Sequence, residues 1–117
     1  MIKIATRNNQ FNKGDIFMMS TNPVVGHEQG DYRPCVVISD TLQKVSPHML
    51  QIAPITSKEK GYPLHVELVT QQNKVNGVVL TDHTRTVDIM ARGESFKIID
   101  KATDACINEC KKIIDSF

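Results

Sequence analysis

Three features of this chain predict a mainly β domain, a small antiparallel barrel or sheet carrying one C-terminal helix. Its apolar runs are short and bounded by Gly, Pro, Asn and Ser. Several of them alternate strictly with polar residues. Only the last segment changes period, from two to that of a helix. With 117 residues and 40% hydrophobic content, the chain has room for one modest core and no second domain.

Residues 1–13, with Arg7-Asn8-Asn9-Gln10, read as a polar arm, and the domain proper runs from Gly14 to residue 117. Ile16–Met19 and Cys35–Ile38 have the form of buried strands. Leu50 and Ile52, then Leu64, Val66 and Leu68, alternate with polar neighbours, as strands with one wet face do. Gln71–Gly77 is a polar connection with Asn76-Gly77 as its turn signal, and Val78-Val79-Leu80 follows as a strand. Val87 and Ile89 alternate again, Arg92-Gly93 turns, and Phe96–Ile99 can close the sheet. Cys106, Cys110, Ile113, Ile114 and Phe117 then share one helix face, for which Asp100 is a plausible N-cap.

Composition excludes several classes. The formal net charge is +1, so no global positive field draws in nucleic acid, and a polyanion must meet a local patch. Three cysteines without a Cys-x-x-Cys or a close His partner argue against a disulfide framework and a zinc site. Buried thiols in a reducing cytosol are the expectation. No signal peptide or membrane span follows Lys3, Arg7 and Lys13, and the expected location is cytoplasmic.

Chemistry concentrates where apolar runs end. Gly26–Pro34 holds His27, Glu28, Asp31 and Arg33; Thr56-Ser57-Lys58 and Asp82-His83-Thr84-Arg85 are two further polar clusters. If their strands are neighbours, all three face one groove. There Arg33 offers a planar fork for phosphate oxygens, Thr56 and Ser57 offer neutral donors, and Glu28, Asp82 and His27 are candidates for moving protons. Taken singly, each has an ordinary reading: Arg33 can anchor a turn, Thr56 can cap a loop, and Asp82 can pair with Arg85. Taken together, they match RNA cleavage by internal attack, which needs a proton acceptor, a proton donor and cations on the phosphoryl group. No metal or other cofactor is required, because the nucleophile belongs to the substrate. Lys58, Lys60 and Arg85 extend the positive rim, while Tyr62 and His83 can stack on splayed bases.

In order and spacing, these residues resemble the MazF/PemK family of toxin endoribonucleases. The resemblance runs from Gly14 to the C-terminal helix. It includes Gly14-Asp15-Ile16, Gly26-His27-Glu28-Gln29 with Arg33-Pro34, Pro54-Ile55-Thr56-Ser57 before Lys60-Gly61-Tyr62-Pro63, Gly77-Val78-Val79, Asp82, Arg85-Thr86-Val87-Asp88 and Ala91-Arg92. It implies a Src-homology-3-like barrel with a C-terminal helix and a homodimer. It also implies an mRNA interferase that cuts single-stranded RNA at short sequences without metal, restrained by a cognate acidic antitoxin. By position, Arg33 and Thr56 match the principal catalytic pair, Glu28 and Asp82 the acidic positions, and His27 a histidine that PemK-like members use. Those members carry an arginine two residues before the aspartate, where this chain has Leu80. The loop to Pro63 is closer to the MazF branch, in which Arg33 and Thr56 carry the work. Since guanidinium stays protonated, Arg33 is read as a transition-state clamp, and Glu28 as first choice for the base with Asp82 or His27 as alternatives. The competing expectation is a CcdB-like, non-enzymatic toxin that shares the barrel and binds DNA gyrase through its helix. A barrel that only binds protein or nucleic acid is a third.

Overall fold

The computed structural model describes residues 11–20, 32–57, 64–89 and 96–117. Among them are seven strands: β1 (Asp15–Ser20), β2 (Tyr32–Ser39), β3 (Met49–Thr56), β4 (His65–Glu67), β5 (Val78–Leu80), β6 (Arg85–Asp88) and β7 (Ile98–Lys101). One helix follows, α1 (Asp104–Asp115). Every strand pairing is antiparallel, in the order β4-β5-β3-β2-β1-β7, with β6 pairing β3 beside β5. The two ends of this path come together just beyond β4 and β7, where Thr70 bridges Ala102. Gln71 N–H donates to the Lys101 carbonyl at 2.8 Å and Thr103 N–H to that of Val69 at 2.9 Å. The expected mainly β sheet with a C-terminal helix is therefore the observed architecture.

Alternation along the strands creates two cores. Ile16, Val36, Ile38, Ala53, Ile55 and Val79 face α1 and pack on Cys106, Ile107 and Cys110. Phe17, Met19, Cys35, Val37, Leu50, Ile52 and Val87 face the other way and are joined by Phe11 and the half-buried Phe96. Phe11 and Phe96 flank Phe17, with ring centroids 5.0 and 5.2 Å away. Phe11 is thus part of the packed domain, and its carbonyl also accepts from Gln43 Nε2 at 2.7 Å. β3 departs from the expected single wet face, since Ile52, Ala53, Pro54 and Ile55 are all buried. The reason is that both its faces are packed: Ala53 and Ile55 lie against α1 in the first core, and Leu50 and Ile52 lie in the second.

Two expectations at the helix are corrected. Its N-cap is Thr103, whose hydroxyl accepts from Cys106 N–H at 3.2 Å. Asp100 instead lies in β7, 2% exposed, and its carboxylate accepts from the backbone N–H groups of Lys101 (2.7 Å), Lys74 (2.8 Å) and Gln72 (3.1 Å). Phe117 lies beyond the C-cap Ser116 and is exposed, while Ile107 completes the buried face. The three cysteines are buried and form no disulfide. No helix among the described residues is long and apolar enough to cross a membrane.

Candidate active site

The sheet face that holds the second core turns polar at one end. On β2 the side chains of Val37 and Cys35 are followed on the same face by Arg33, and on β3 those of Leu50 and Ile52 are followed by Pro54 and Thr56. On β6, Val87 is preceded on that face by Arg85. Register relates these changes: Val37 pairs with Ile52, Cys35 with Pro54, and Ile52 with Arg85. Continuing the β2–β3 register by two residues sets Arg33 opposite Thr56. β2 and β3 thus hand over from core to polar surface at the same level, while β6 does so two same-face positions earlier, where Arg85 stands beside Ile52.

A groove of about 490 Å³ opens there, lined by Arg33, Pro54, Leu80, Asp82, His83, Thr84 and Arg85. It carries two guanidinium groups against one carboxylate, which gives a protein of net charge +1 the local positive patch a polyanion needs. The third cluster enters from the short 3-10 turn Thr81–His83, between β5 and β6. That turn is held from within. Thr81 is fully buried and its hydroxyl donates to the Leu64 carbonyl, while Thr84 Oγ1 donates to the Thr81 carbonyl at 2.8 Å.

Four of the anticipated residues, Arg33, Asp82, His83 and Arg85, therefore meet in one groove. Thr56 is half-buried at the end of β3, on the face shared with Pro54, and Ser57 is exposed just after it; neither is among the lining residues. His27, Glu28, Lys58, Lys60 and Tyr62 lie outside the described residues. Arg33 is half-buried on β2, a position that limits how far its fork can swing. The position where PemK-like members are expected to have arginine is occupied by Leu80, 6% exposed, so an apolar wall stands beside Asp82.

Sequence reasoning missed one residue. His65 Nε2 lies 3.0 Å from Asp82 Oδ1, while His83 Nε2 lies 3.9 Å from Asp82 Oδ2. The Asp82 carboxylate thus sits between two imidazoles, one 6% and one 61% exposed. In sequence His65 only occupies the polar phase of the Leu64-Val66-Leu68 alternation; it is the ladder that sets it opposite Leu80, a groove residue.

Fold and groove together define a small antiparallel β domain with a cleft lined by two arginines and an aspartate. Residues 12–117 match the family profile of the PemK-like, MazF-like toxin of type II toxin-antitoxin system. The endoribonuclease toxin MazF of Escherichia coli K12 is 34% identical over 84 residues, 72% of this chain and 74% of that protein. The crystal structure of MazF (form I) from Deinococcus radiodurans is similar with a TM-score of 0.73 at 32% identity, covering 92% of this chain and 94% of that one. A MazE–MazF structure (form II) from the same organism gives 0.71 at 28% identity, covering 92% and 93%. The chain belongs to the PemK-like, MazF-like toxin family of type II toxin–antitoxin systems.

Proposed function

We propose that this chain is a sequence-selective endoribonuclease toxin that cleaves single-stranded RNA in the groove between Arg33, Asp82 and Arg85. The observation that carries the reading is the convergence of two guanidinium groups and one carboxylate in one groove. The endoribonuclease activity borne by the name of the Escherichia coli relative supports it.

The substrate's own 2′-oxygen attacks phosphorus and the bond to the 5′-oxygen breaks, leaving a 2′,3′-cyclic phosphate and a 5′-hydroxyl. The 2′-hydroxyl proton passes to a carboxylate or imidazole drawn from Glu28, Asp82 and His27, and the leaving oxygen takes up a proton. Of these three, Asp82 is the one that the described residues bring to the groove. Arg33 clamps the phosphoryl oxygens as their charge builds, and Thr56, which continues its register, adds a neutral donor. Ser57, Lys58, Lys60, Tyr62, His83 and Arg85 hold the flanking nucleotides by charge and stacking. No metal enters the scheme.

The toxin works as a homodimer in the cytoplasm, a state that would also offset the small core of a 117-residue chain. An acidic antitoxin restrains it; the MazE–MazF structure from Deinococcus radiodurans supports such a partner. A CcdB-like action on gyrase would leave the groove without a task.

The test is cleavage of a long single-stranded RNA with and without EDTA, beside an RNA whose scissile nucleotide is 2′-deoxy. Cleavage should persist in EDTA, yield cyclic phosphate ends and stop on the deoxy substrate. Cutting of the deoxy substrate at the parent rate would refute internal attack, and an intact RNA throughout would refute the nuclease reading.

A further inference from the structure

We propose that His65 is a positioning residue for the cleavage reaction, a hydrogen-bond donor that fixes the Asp82 carboxylate at the groove wall. The proposal rests on the nuclease reading above and adds to it a residue that never meets RNA.

Relative exposure decides the order of the pair. The His65 side chain is 6% exposed and that of Asp82 27%, so the carboxylate stands between the imidazole and the groove. Hydrogen-bond chemistry decides the direction. An ionised carboxylate only accepts, so at 3.0 Å the proton in the contact belongs to Nε2 of His65. This occupies Oδ1 and leaves Oδ2 facing His83 and the groove. A carboxylate on a three-residue turn would otherwise rotate about its side-chain torsions, and its lone pairs would not hold one direction. His65 removes that freedom.

The surrounding backbone is built to keep the two in contact. The residues just before them, Leu64 and Thr81, are tied by the hydrogen bond from the buried Thr81 hydroxyl to the Leu64 carbonyl. Behind them, β4 and β5 pair with His65 opposite Leu80, Val66 opposite Val79 and Glu67 opposite Val78. One face of this short ladder is anchored in the main core through Val66 and Val79. His65 therefore approaches Asp82 from a rigid strand, as supporting residues of reacting groups do. A histidine that only filled space would not need its Nε2 aimed at a carboxylate of the groove.

Single-turnover cleavage and steady-state constants for His65→Ala, His65→Gln, Asp82→Ala and the His65/Asp82 double alanine variant test this. Losing the support should lower the rate roughly 10- to 100-fold, with kcat falling and KM nearly unchanged. Glutamine carries an N–H donor at the same reach but no transferable proton, so His65→Gln should recover most of the rate. In the Asp82→Ala background, His65→Ala should cost less than about twofold more, since its one route of action is gone. If His65→Gln is as poor as His65→Ala, or if the two alanine losses multiply, the positioning role is wrong. A measurement on the parent protein covers the case in which His65→Ala does not fold: the ¹⁵N shifts of the His65 ring should show a proton on Nε2. A bare Nε2 would overturn the proposal, whereas absence of any RNA cleavage by the parent would refute the nuclease reading and leave this contact standing.

Discussion

Gly77 is packed so closely on Thr56 that a Cβ built on it would lie 2.4 Å from the Thr56 carbonyl oxygen and 2.9 Å from the carbonyl carbon. Its φ of +139° is in any case one that side chains with a Cβ rarely adopt. The glycine precedes β5, and its position lets β5 pair with the last two residues of β3. Because Thr56 belongs to the proposed site, Gly77→Ala should damage both stability and activity. Backbone strain alone should cost about 1 to 3 kcal/mol. Denaturant unfolding beside RNA cleavage would measure the two, and a variant that keeps parental values of both would show that the contact does not matter.

Asp100 supplies a pH-dependent contribution to stability. Burial pushes its carboxyl pKa up, but the Thr70 hydroxyl and the N–H groups of Lys101, Lys74 and Gln72 outweigh that and bring it from 3.8 down to about 2. With a folded value below the unfolded one, the contribution is fully present above about pH 4 and is lost as pH falls to about 2. Asp100→Asn should therefore be less stable than the parent at neutral pH, and the gap should close in acid. Urea midpoints taken at pH 7, 4, 3 and 2 would show this, and a gap constant across that series would contradict it.

Strand positions were legible because alternation is a local signal. Ile16 against Phe17, and Val36 against Val37, take opposite faces as period two requires. What could not be read locally was which strands would be packed on both faces, so β3 was expected to have a wet face that α1 in fact covers at Ala53 and Ile55. Asp100 had the right residue type for a cap three residues too early. Its carboxylate was claimed instead by the loop at Gln72 and Lys74, a contact between residues 28 and 26 positions apart in the chain. For the candidate site, residue type and loop position were enough to single out Arg33, Asp82, His83 and Arg85, which the fold brings to one groove. His65 was passed over because one histidine on a strand's polar face has no local mark of function. Only the pairing of β4 with β5 brings it to Asp82.

Inhibition should be competitive and salt-sensitive. Among the described residues the groove sets Arg33 and Arg85 against Asp82 alone, whereas the whole chain is nearly neutral. An acidic antitoxin segment should therefore seek the groove itself and lose affinity as ionic strength rises. Titrating antitoxin against the toxin bound to a non-cleavable RNA analogue would test it. Simultaneous binding of both without mutual loss of affinity would place the antitoxin elsewhere.

Arg33 should act on charge that develops at the phosphoryl oxygens more than on the bound substrate. It stands half-buried on β2 with its partners Met19 and, two residues on, Cys35 opposite Pro54, so the strand and not a loop sets its direction. A donor held this way stabilises the transition state without reorganising, and its removal typically costs about 3 to 4 kcal/mol, or roughly two to three orders of magnitude in rate. Arg33→Ala should remain folded and bind RNA with little loss, yet turn over very slowly. Arg33→Lys should recover little, since a point charge cannot reproduce a two-pronged donor. Single-turnover rates, RNA affinity and circular dichroism of both variants separate these effects. If Arg33→Ala cleaves within about tenfold of the parent while its fold is unchanged, the loss is far smaller than an oxyanion-type clamp entails. Arg85, the other guanidinium of the groove, would then be the group to substitute next.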